Sequence, residues 1–314
     1  MRRGPKEWIK YQMGIIPRRL NGVVDGRIFF YNWLGAGDDN DWMARFIVNN
    51  LPEKKTYNLF SCFGKPLYLK RHARKNNIFV SAENLNCRFK RYRDYCLDSV
   101  GLAMGFDNRK EENYLRFPMG LLAILEPKVD FEYIKGKIDD INKQRNSGRF
   151  ECGLVSSHDN WNTRTPIYNG LNDILDISCA GRWNNNTSVL WEEYGNDKLA
   201  FLKDCKFTIC PENEDTPYYV TEKLYDVFVA GSIPIYTGAA NNPEPDIINH
   251  DAVLFWDRND KAQNEACRKE VSRLKNDEKY YDAFISQDKF LPEAAEIIYD
   301  KFVELKKRLL EIGE

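Results

Sequence analysis

The chain has 314 residues, enough for two domains of ordinary size, and its hydrophobic content of 43% can fill their cores. The 46 basic and 47 acidic residues nearly cancel, which argues against a nucleic-acid partner. No run of about 18 apolar residues occurs, so we expect no membrane-spanning helix.

The N-terminus and the cysteines indicate a cytoplasmic protein. Arg2 and Arg3 are not followed by the apolar stretch of a secretory signal peptide. The eight cysteines form no C-x-x-C pair, and Cys152 and Cys210 lie in apolar, strand-like runs where we expect buried free thiols. This pattern favours a reducing compartment, and it leaves open a peripheral contact with a membrane.

The first half alternates short apolar strands with helices, which predicts a parallel, doubly wound α/β sheet. The predicted elements are a strand over 27–32, a helix over 41–50, and strands over 57–62, 78–81, 99–104 and 114–117. A charged segment over 131–148 has the pattern of a helix that runs into a linker. We therefore place a domain boundary between residues 149 and 150.

The second half begins the alternation again. The predicted elements are a strand over 152–156, a helix over 167–175, a strand over 174–177, a helix over 192–202, and strands over 207–210, 232–236 and 252–255. The pattern is helical from residue 259. Five apolar residues after Pro292 have i+3 and i+4 spacing, which predicts a helix with one face in the core: Ala294, Ile298, Phe302, Leu305 and Leu309. The predicted domains are 1–149 and 150–290, with a C-terminal helix over 291–314 that packs on the body.

The segment over 207–238 is the most informative part of the chain. It has the pattern strand, polar loop, helix, strand, and the helix N-terminus offers free N–H groups and a positive dipole to an anion. Thr221 is a candidate N-cap residue. Lys223 follows in the first helical turn, where a cation is unfavourable unless an anion lies nearby. Arg164, in the loop after the strand over 152–156, could donate two hydrogen bonds to a phosphate. These features predict a diphosphate site.

The same segment resembles the α1,3/4-fucosyltransferases, glycosyltransferase family 10, in their bacterial type. The family hallmark is an apolar strand, a Glu-Asn pair and a Tyr-x-Thr-Glu-Lys run, which stand here at Glu212 and Asn213 and at residues 219–223. Pro211 is a departure, because the family usually has an aromatic residue there. The likeness extends over about residues 27–260.

The resemblance implies two facing Rossmann-like domains, the GT-B glycosyltransferase architecture, with the acceptor in the first domain and GDP-fucose in the second. It implies transfer of L-fucose, with inversion, to a hydroxyl of an N-acetylglucosamine-containing glycan of the lactosamine type, as in Lewis-antigen synthesis or protein glycosylation. Glu83, just past the strand over 78–81, would be the base that takes the acceptor proton. The implied donor-binding residues are Arg164, Glu212, Asn213, Tyr219, Thr221, Glu222 and Lys223.

The resemblance implies no cofactor, because Arg164 and Lys223 would neutralise the departing GDP. An Asp-x-Asp pattern within residues 38–41 is a metal–diphosphate signature in another glycosyltransferase architecture. We favour a helix start there, since acidic residues stabilise a helix N-terminus, and we predict no metal site. Two alternatives stay open: an inverting transferase of the same fold with another nucleotide sugar, and a non-catalytic glycan- or nucleotide-binding protein. The sequence does not distinguish an α1,3 from an α1,4 linkage.

Overall fold

The computed structural model describes residues 20–65, 69 and 74–312, so Arg2 and Arg3 lie outside the described residues. Within the described part, the chain forms two compact units. The first unit contains the residues up to Phe117, Glu126–Val129 and the residues from Lys301 onward. The second unit contains Pro118–Leu125 and Asp130–Asp300.

The described residues of the first unit contain a six-stranded sheet in simple sequence order. Its strands are β1 (Leu20–Val24), β2 (Ile28–Tyr31), β3 (Tyr57–Phe60), β4 (Asn77–Val80), β5 (Leu102–Gly105) and β6 (Tyr114–Arg116). Strands β2 to β6 are parallel, and β1 adds an antiparallel edge that the sequence analysis did not predict. Every residue of β3, β4 and β5 is buried, as expected for a parallel sheet covered on both faces.

Helix α1 (Trp42–Asn50) begins at the acidic segment, and this confirms the interpretation of that segment as a helix start. The Asp41 side chain accepts hydrogen bonds from the backbone N–H groups of Met43 and Ala44, at 2.9 and 3.2 Å. It also accepts one from the Trp33 indole, at 2.7 Å. Asp41 is therefore a helix cap.

The described residues of the second unit contain a five-stranded parallel sheet with the order β11-β10-β9-β7-β8. Its strands are β7 (Phe150–Leu154), β8 (Ile177–Cys179), β9 (Cys205–Ile209), β10 (Ile233–Tyr236) and β11 (Leu254–Phe255). The helices that precede and connect them are α2 (Phe131–Asn142), α3 (Thr165–Leu171), α4 (Val189–Glu192), α5 (Lys198–Lys203) and α6 (Glu222–Ala230). One buried core joins this sheet to α3 and to the helices that follow β11.

The segment over 207–238 forms β9, a loop, α6 and β10, as predicted. Helix α6 buries Leu224, Val227 and Phe228. It ends at Gly231, whose φ of +70° suits a residue without a side chain. A Cβ atom at this glycine would lie 2.5 Å from the backbone nitrogen of Arg145, so space as well as backbone conformation requires glycine here.

Two elements of the second unit differ from the predictions. The helix predicted over 192–202 is two short helices, α4 and α5, because Gly195 and Asn196 adopt left-handed conformations with φ of +57° and +68°. The strand predicted over 174–177 begins only at Ile177, since α3 closes with a turn in which the N–H of Leu175 donates to the Leu171 carbonyl at 2.8 Å.

Three helices end the described chain: α7 (Lys261–Asn276), α8 (Glu278–Ile285) and α9 (Ala294–Glu311). The five apolar residues predicted to share one face of the last helix are all fully buried, which confirms the predicted core face. Helix α9 continues from the second unit into the first at residues 300 and 301. No helix in the described part of the chain is long and apolar enough to cross a membrane.

Candidate functional site

A cavity of about 250 Å³ opens at the carboxyl edge of the second sheet, beyond the ends of β7 and β9. Ligands of open parallel sheets bind at this edge. The polar lining consists of Ser156, Ser157, His158, Arg164, Lys198, Thr208, Asn213, Glu222 and Lys223. The remaining lining is mostly apolar and comprises Leu154, Val155, Leu202, Ile209, Cys210, Pro211 and Val227.

Arg164 is held rigidly although it lies in a loop. It stands directly before α3 and is only 4% exposed. Its guanidinium donates to Asn213 Oδ1 at 2.9 Å and to Thr163 Oγ1 at 3.1 Å. Burial lowers the pKa of Arg164, and the nearby carboxylates of Asp159 and Glu212 oppose this shift. The structure thus joins two predicted donor residues, Arg164 and Asn213, by a direct hydrogen bond.

Asp159 organises the loop around Arg164. Its carboxylate accepts from the backbone N–H groups of Thr163, Arg164 and Thr165, at 2.7, 3.1 and 2.8 Å, and from the Thr165 hydroxyl at 2.7 Å. One of its oxygens lies 3.7 Å from the Arg164 guanidinium. Burial raises the pKa of Asp159, but these hydrogen bonds, led by those from Thr165, bring it below its usual value. Asp159 is therefore an ionised carboxylate that fixes Arg164.

Glu212 has the corresponding position behind Lys223. It is fully buried and accepts from the Thr221 backbone N–H at 2.8 Å and from the Thr221 hydroxyl at 2.7 Å. The Lys223 ammonium lies 3.3 Å from Glu212 Oε2, and the Tyr236 hydroxyl lies 3.4 Å from Oε1. Glu212 does not line the cavity, although the resemblance implies that it binds the donor. The structure places it where it can hold Lys223.

Thr221 lies at the N-cap position of α6, as predicted, but its side chain does not cap the helix. The hydroxyl donates to Glu212 and accepts from the Lys223 ammonium at 2.9 Å. The hydroxyl does not bond to the helix N-terminus because the buried Glu212 carboxylate, which needs hydrogen-bond donors, takes it instead. Thr221 and Tyr219 are both buried, and neither lines the cavity.

Lys223 and Glu222 begin α6 and line the cavity together. Their charged groups are 3.5 Å apart. Burial disfavours the charge on Lys223, but the carboxylates of Glu212 and Glu222 raise its pKa above the usual value. Burial likewise opposes ionisation of Glu222, and Lys223 is the main cause that brings its pKa below the usual value. The helix N-terminus thus presents a permanent cation beside an ionised carboxylate.

Glu83 belongs to the first unit, whereas every residue that lines the cavity belongs to the second. It follows β4 and is half-buried. The Glu83 N–H donates to Ser81 Oγ at 3.2 Å, which fixes the turn beyond the strand. Burial, assisted by the charge of Glu83, raises the pKa of the Cys62 thiol to about 11. Glu83 thus stands at the carboxyl edge of its own parallel sheet, as predicted.

A family model described as "Glycosyltransferase family 10 (fucosyltransferase) C-term" matches residues 144–303, just over half of the chain. The chain belongs to glycosyltransferase family 10. The matched range contains the whole cavity lining. The chain is similar to a human 4-galactosyl-N-acetylglucosaminide 3-alpha-L-fucosyltransferase 9, with 32% identity over 139 residues, 42% of this chain and 35% of the relative. It is also similar to a Helicobacter pylori alpha-(1,3)-fucosyltransferase, with 24% identity over 273 residues, 73% of this chain and 55% of the relative. The chain thus matches about a third to a half of the length of these curated relatives.

Solved structures share the fold of this family 10 chain. A crystal structure of an alpha1,3-fucosyltransferase matches with a TM-score of 0.62 and 19% identity, over 92% of this chain and 90% of that one. A second, with GDP, gives a TM-score of 0.61 and 21% identity, over 92% and 91%. The fold is the GT-B glycosyltransferase architecture, and the predicted fold class and family are confirmed.

Sequence reasoning missed Asp159 and Lys198. Asp159 acts through backbone contacts, and the only signal was Pro166 in the next helical turn, which marks a helix start just after it. Lys198 was predicted to lie inside a long helix, but it is the first residue of α5, after the N-cap residue Asp197. Like Lys223, it is a lysine in a first helical turn. Within the described residues, no group of three or more His, Cys, Asp or Glu side chains could hold a metal ion.

Proposed function

We propose that this family 10 chain is an inverting α1,3-fucosyltransferase that moves L-fucose from GDP-fucose to a hydroxyl of an N-acetylglucosamine-containing glycan. The observation that carries the proposal is the pairing of two cations, Arg164 and Lys223, on one cavity wall, each with a buried carboxylate behind it. The names of the relatives and of the solved structures, which include complexes with GDP and GDP-fucose, support the donor and the lactosamine-type acceptor.

In the proposed donor site, Arg164 and Lys223 bind the diphosphate at the N-terminus of α6. As the bond from the fucose anomeric carbon to the phosphate oxygen breaks, negative charge grows on GDP, and two cations held in place stabilise it. Asn213 uses its carbonyl oxygen for Arg164, so its amide N–H groups are the ones that can reach the ligand. Glu222 can accept from sugar hydroxyls. Glu212 and Thr221 act through Lys223, and Tyr219 supports the loop.

The acceptor half of the proposal assigns acceptor binding to the domain over 1–149 and donor binding to the domain over 150–290. Glu83 takes the proton from the acceptor hydroxyl as the oxygen attacks the anomeric carbon. The hydroxyl attacks from the face opposite to GDP, so one displacement inverts the configuration. The proton ends on Glu83, and the electron pair of the broken bond leaves with GDP.

Product analysis tests this function. The purified protein is incubated with GDP-fucose and with type 1 and type 2 lactosamine acceptors, and mass spectrometry should find one fucose added to at least one acceptor. NMR of the product should show an α-fucoside, which means inversion, since the donor is β-linked. Parallel reactions with GDP-mannose and UDP-sugars test another nucleotide sugar. Fucosyl transfer to none of the acceptors would contradict the proposal.

A further inference from the structure

One residue of the cavity lining, Lys198, belongs to a charged pair that the mechanism above does not use. The Lys198 ammonium, at the start of α5, lies 2.8 Å from Asp226 Oδ2 on α6. The two side chains are 35% and 24% exposed, so a ligand can reach both. Lys198 lines the cavity. The proposed reaction assigns the diphosphate and the sugar, but it leaves the nucleotide base without a partner.

Each member of the pair stands on a helix that also contributes an apolar residue to the cavity wall. Lys198 stands one helical turn before Leu202, and Asp226 directly precedes Val227, and both of these apolar residues line the cavity. Asp226 also stands four residues after Glu222, a rise of about 6 Å along α6. A nucleotide needs this arrangement, because the ribose separates the flat, largely apolar base from the phosphates.

The chemistry of the pair fits one base. An ammonium only donates hydrogen bonds, and a carboxylate only accepts them. Guanine presents an acceptor, O6, beside two donors, the N1–H and the 2-amino group. We propose that Lys198 and Asp226 recognise guanine in a nucleoside diphosphate, with the ammonium donating to O6 and the carboxylate accepting from N1–H and the 2-amino group. This inference rests on the proposed function and assigns its base specificity.

Other bases leave the pair with unsatisfied groups. Adenine turns an amino group toward the ammonium and a bare ring nitrogen toward the carboxylate. Uracil has a carbonyl oxygen where guanine has its 2-amino group, so the carboxylate would meet another acceptor. Selectivity of this kind is strong, because a site built to form hydrogen bonds is left with unpaired polar groups by the wrong ligand.

Isothermal titration calorimetry with GDP, IDP, XDP and ADP tests the inference on the full chain. Inosine lacks only the 2-amino group, so the wild-type protein should bind GDP about tenfold or more tightly than IDP. Asp226→Asn should abolish that preference and improve binding of XDP, because xanthine carries a carbonyl at position 2 that accepts from the asparagine amide. Lys198→Met should weaken GDP and IDP by the same factor and leave their ratio unchanged, since both bases have O6.

The chain offers a matched control. Lys275 and Glu151 form an ion pair of the same length, 2.8 Å, with side chains 35% and 23% exposed, and neither lines the cavity. Glu151→Gln should therefore leave the ratio of GDP to IDP affinity as in the wild type. Circular dichroism establishes whether each variant is folded. If Asp226→Asn does not fold, the affinities of Lys198→Met for GDP and IDP test the inference instead.

The possible failures are distinct. If the wild-type protein binds no nucleoside diphosphate, the proposed function fails and this inference fails with it. If it binds GDP, but Asp226→Asn keeps the wild-type preference over IDP and gains nothing for XDP, only the base assignment is overturned. The pair would then be a link between α5 and α6. Weaker binding of GDP to Lys198→Met, with unchanged binding of IDP, would also contradict the base assignment.

Discussion

Asp159 and Glu212 fix the two cations, Arg164 and Lys223, that line the cavity of the second unit. A cation on a mobile side chain must be ordered when the ligand binds, and that ordering costs free energy. Here Arg164 is fixed by Asp159 and Asn213, and Lys223 by Glu212 and Thr221, before any ligand arrives. Preorganised charge is the form of electrostatic stabilisation that is most effective in a transition state.

Asp159→Asn should weaken donor binding. An asparagine keeps one accepting oxygen but turns an N–H group toward backbone donors and removes the charge near Arg164, so we expect the Kd for GDP to rise about tenfold. Titration calorimetry measures this. The matched control is Asp173→Asn, near the other end of α3, where an exposed carboxylate pairs with Arg268 at 2.7 Å. A Kd within twofold of the wild-type value in Asp159→Asn would refute the positioning role.

Glu83→Gln should stop the chemistry and spare donor binding. The amide cannot accept the acceptor proton, so we expect kcat to fall by about 10²- to 10⁴-fold. The Kd for GDP should be unchanged, because no residue of the cavity lining belongs to the first unit. The control is Glu53→Gln, an exposed carboxylate of the same unit that precedes β3. An unaltered kcat in Glu83→Gln would mean that another residue is the base. No turnover in either the variant or the wild-type protein would favour the non-catalytic alternative.

The sequence alone predicts the residues whose position in the site follows from their immediate neighbours in the chain. Lys223 and Glu222 follow each other at a helix start, so their exposure to an anion could be predicted from the helix dipole alone. The bond between Arg164 and Asn213 joins residues 49 positions apart, and only the fold brings them together. The burial of Glu212 could not be predicted either, because the Tyr236 hydroxyl that approaches it comes from β10. A carboxylate in a polar loop has the same pattern whether it faces a ligand or stands behind one.

At the scale of elements, the buried parallel strands were predictable and the edge strand was not. Strand β3 of the first sheet and strand β10 of the second are fully buried and apolar enough to be recognised in the sequence, because each sheet is covered on both faces. Strand β1 has the sequence LNGVV and buries only Val24 fully, so it lacks a periodic apolar pattern. It forms because β2 offers it an antiparallel partner, which is a property of the sheet rather than of the segment.

Helix α9 should depend on one aromatic residue. Phe302 is fully buried, with ring centroids 5.6, 6.1 and 5.7 Å from those of Trp42, Phe46 and Phe117. Phe302→Ala should lower the free energy of unfolding of the first unit by about 3–5 kcal/mol, through lost burial and the cavity left behind. The next residue, Val303, is 40% exposed, so Val303→Ala should change it by less than about 0.5 kcal/mol. Urea unfolding, followed by tryptophan fluorescence, compares the two variants. Equal unfolding midpoints would contradict the role of Phe302 as a core residue of the first unit.

For the whole molecule, a formal net charge of −1 offers no long-range attraction to an anionic nucleotide sugar. The attraction must come from the local cations Arg164, Lys198 and Lys223, which line one cavity. With that charge supplied by the chain itself, we expect fucosyl transfer to proceed in excess EDTA at the rate measured with added Mn²⁺. Product formation followed by mass spectrometry tests this. A rate that collapses in EDTA and returns with Mn²⁺ would show that a metal shares the work of the cations.

The continuity of α9 bears on where the chain can be cut. The family match ends at residue 303, inside a helix that runs to Glu311. A recombinant fragment trimmed to residues 144–303 would keep Phe302 but lack the rings it packs against, Trp42, Phe46 and Phe117. The fragment would also end within the helix, next to an exposed Phe302 side chain. The sequence motif that identifies the family is thus shorter than the piece of protein that can be expected to fold, and expression boundaries should follow the helix.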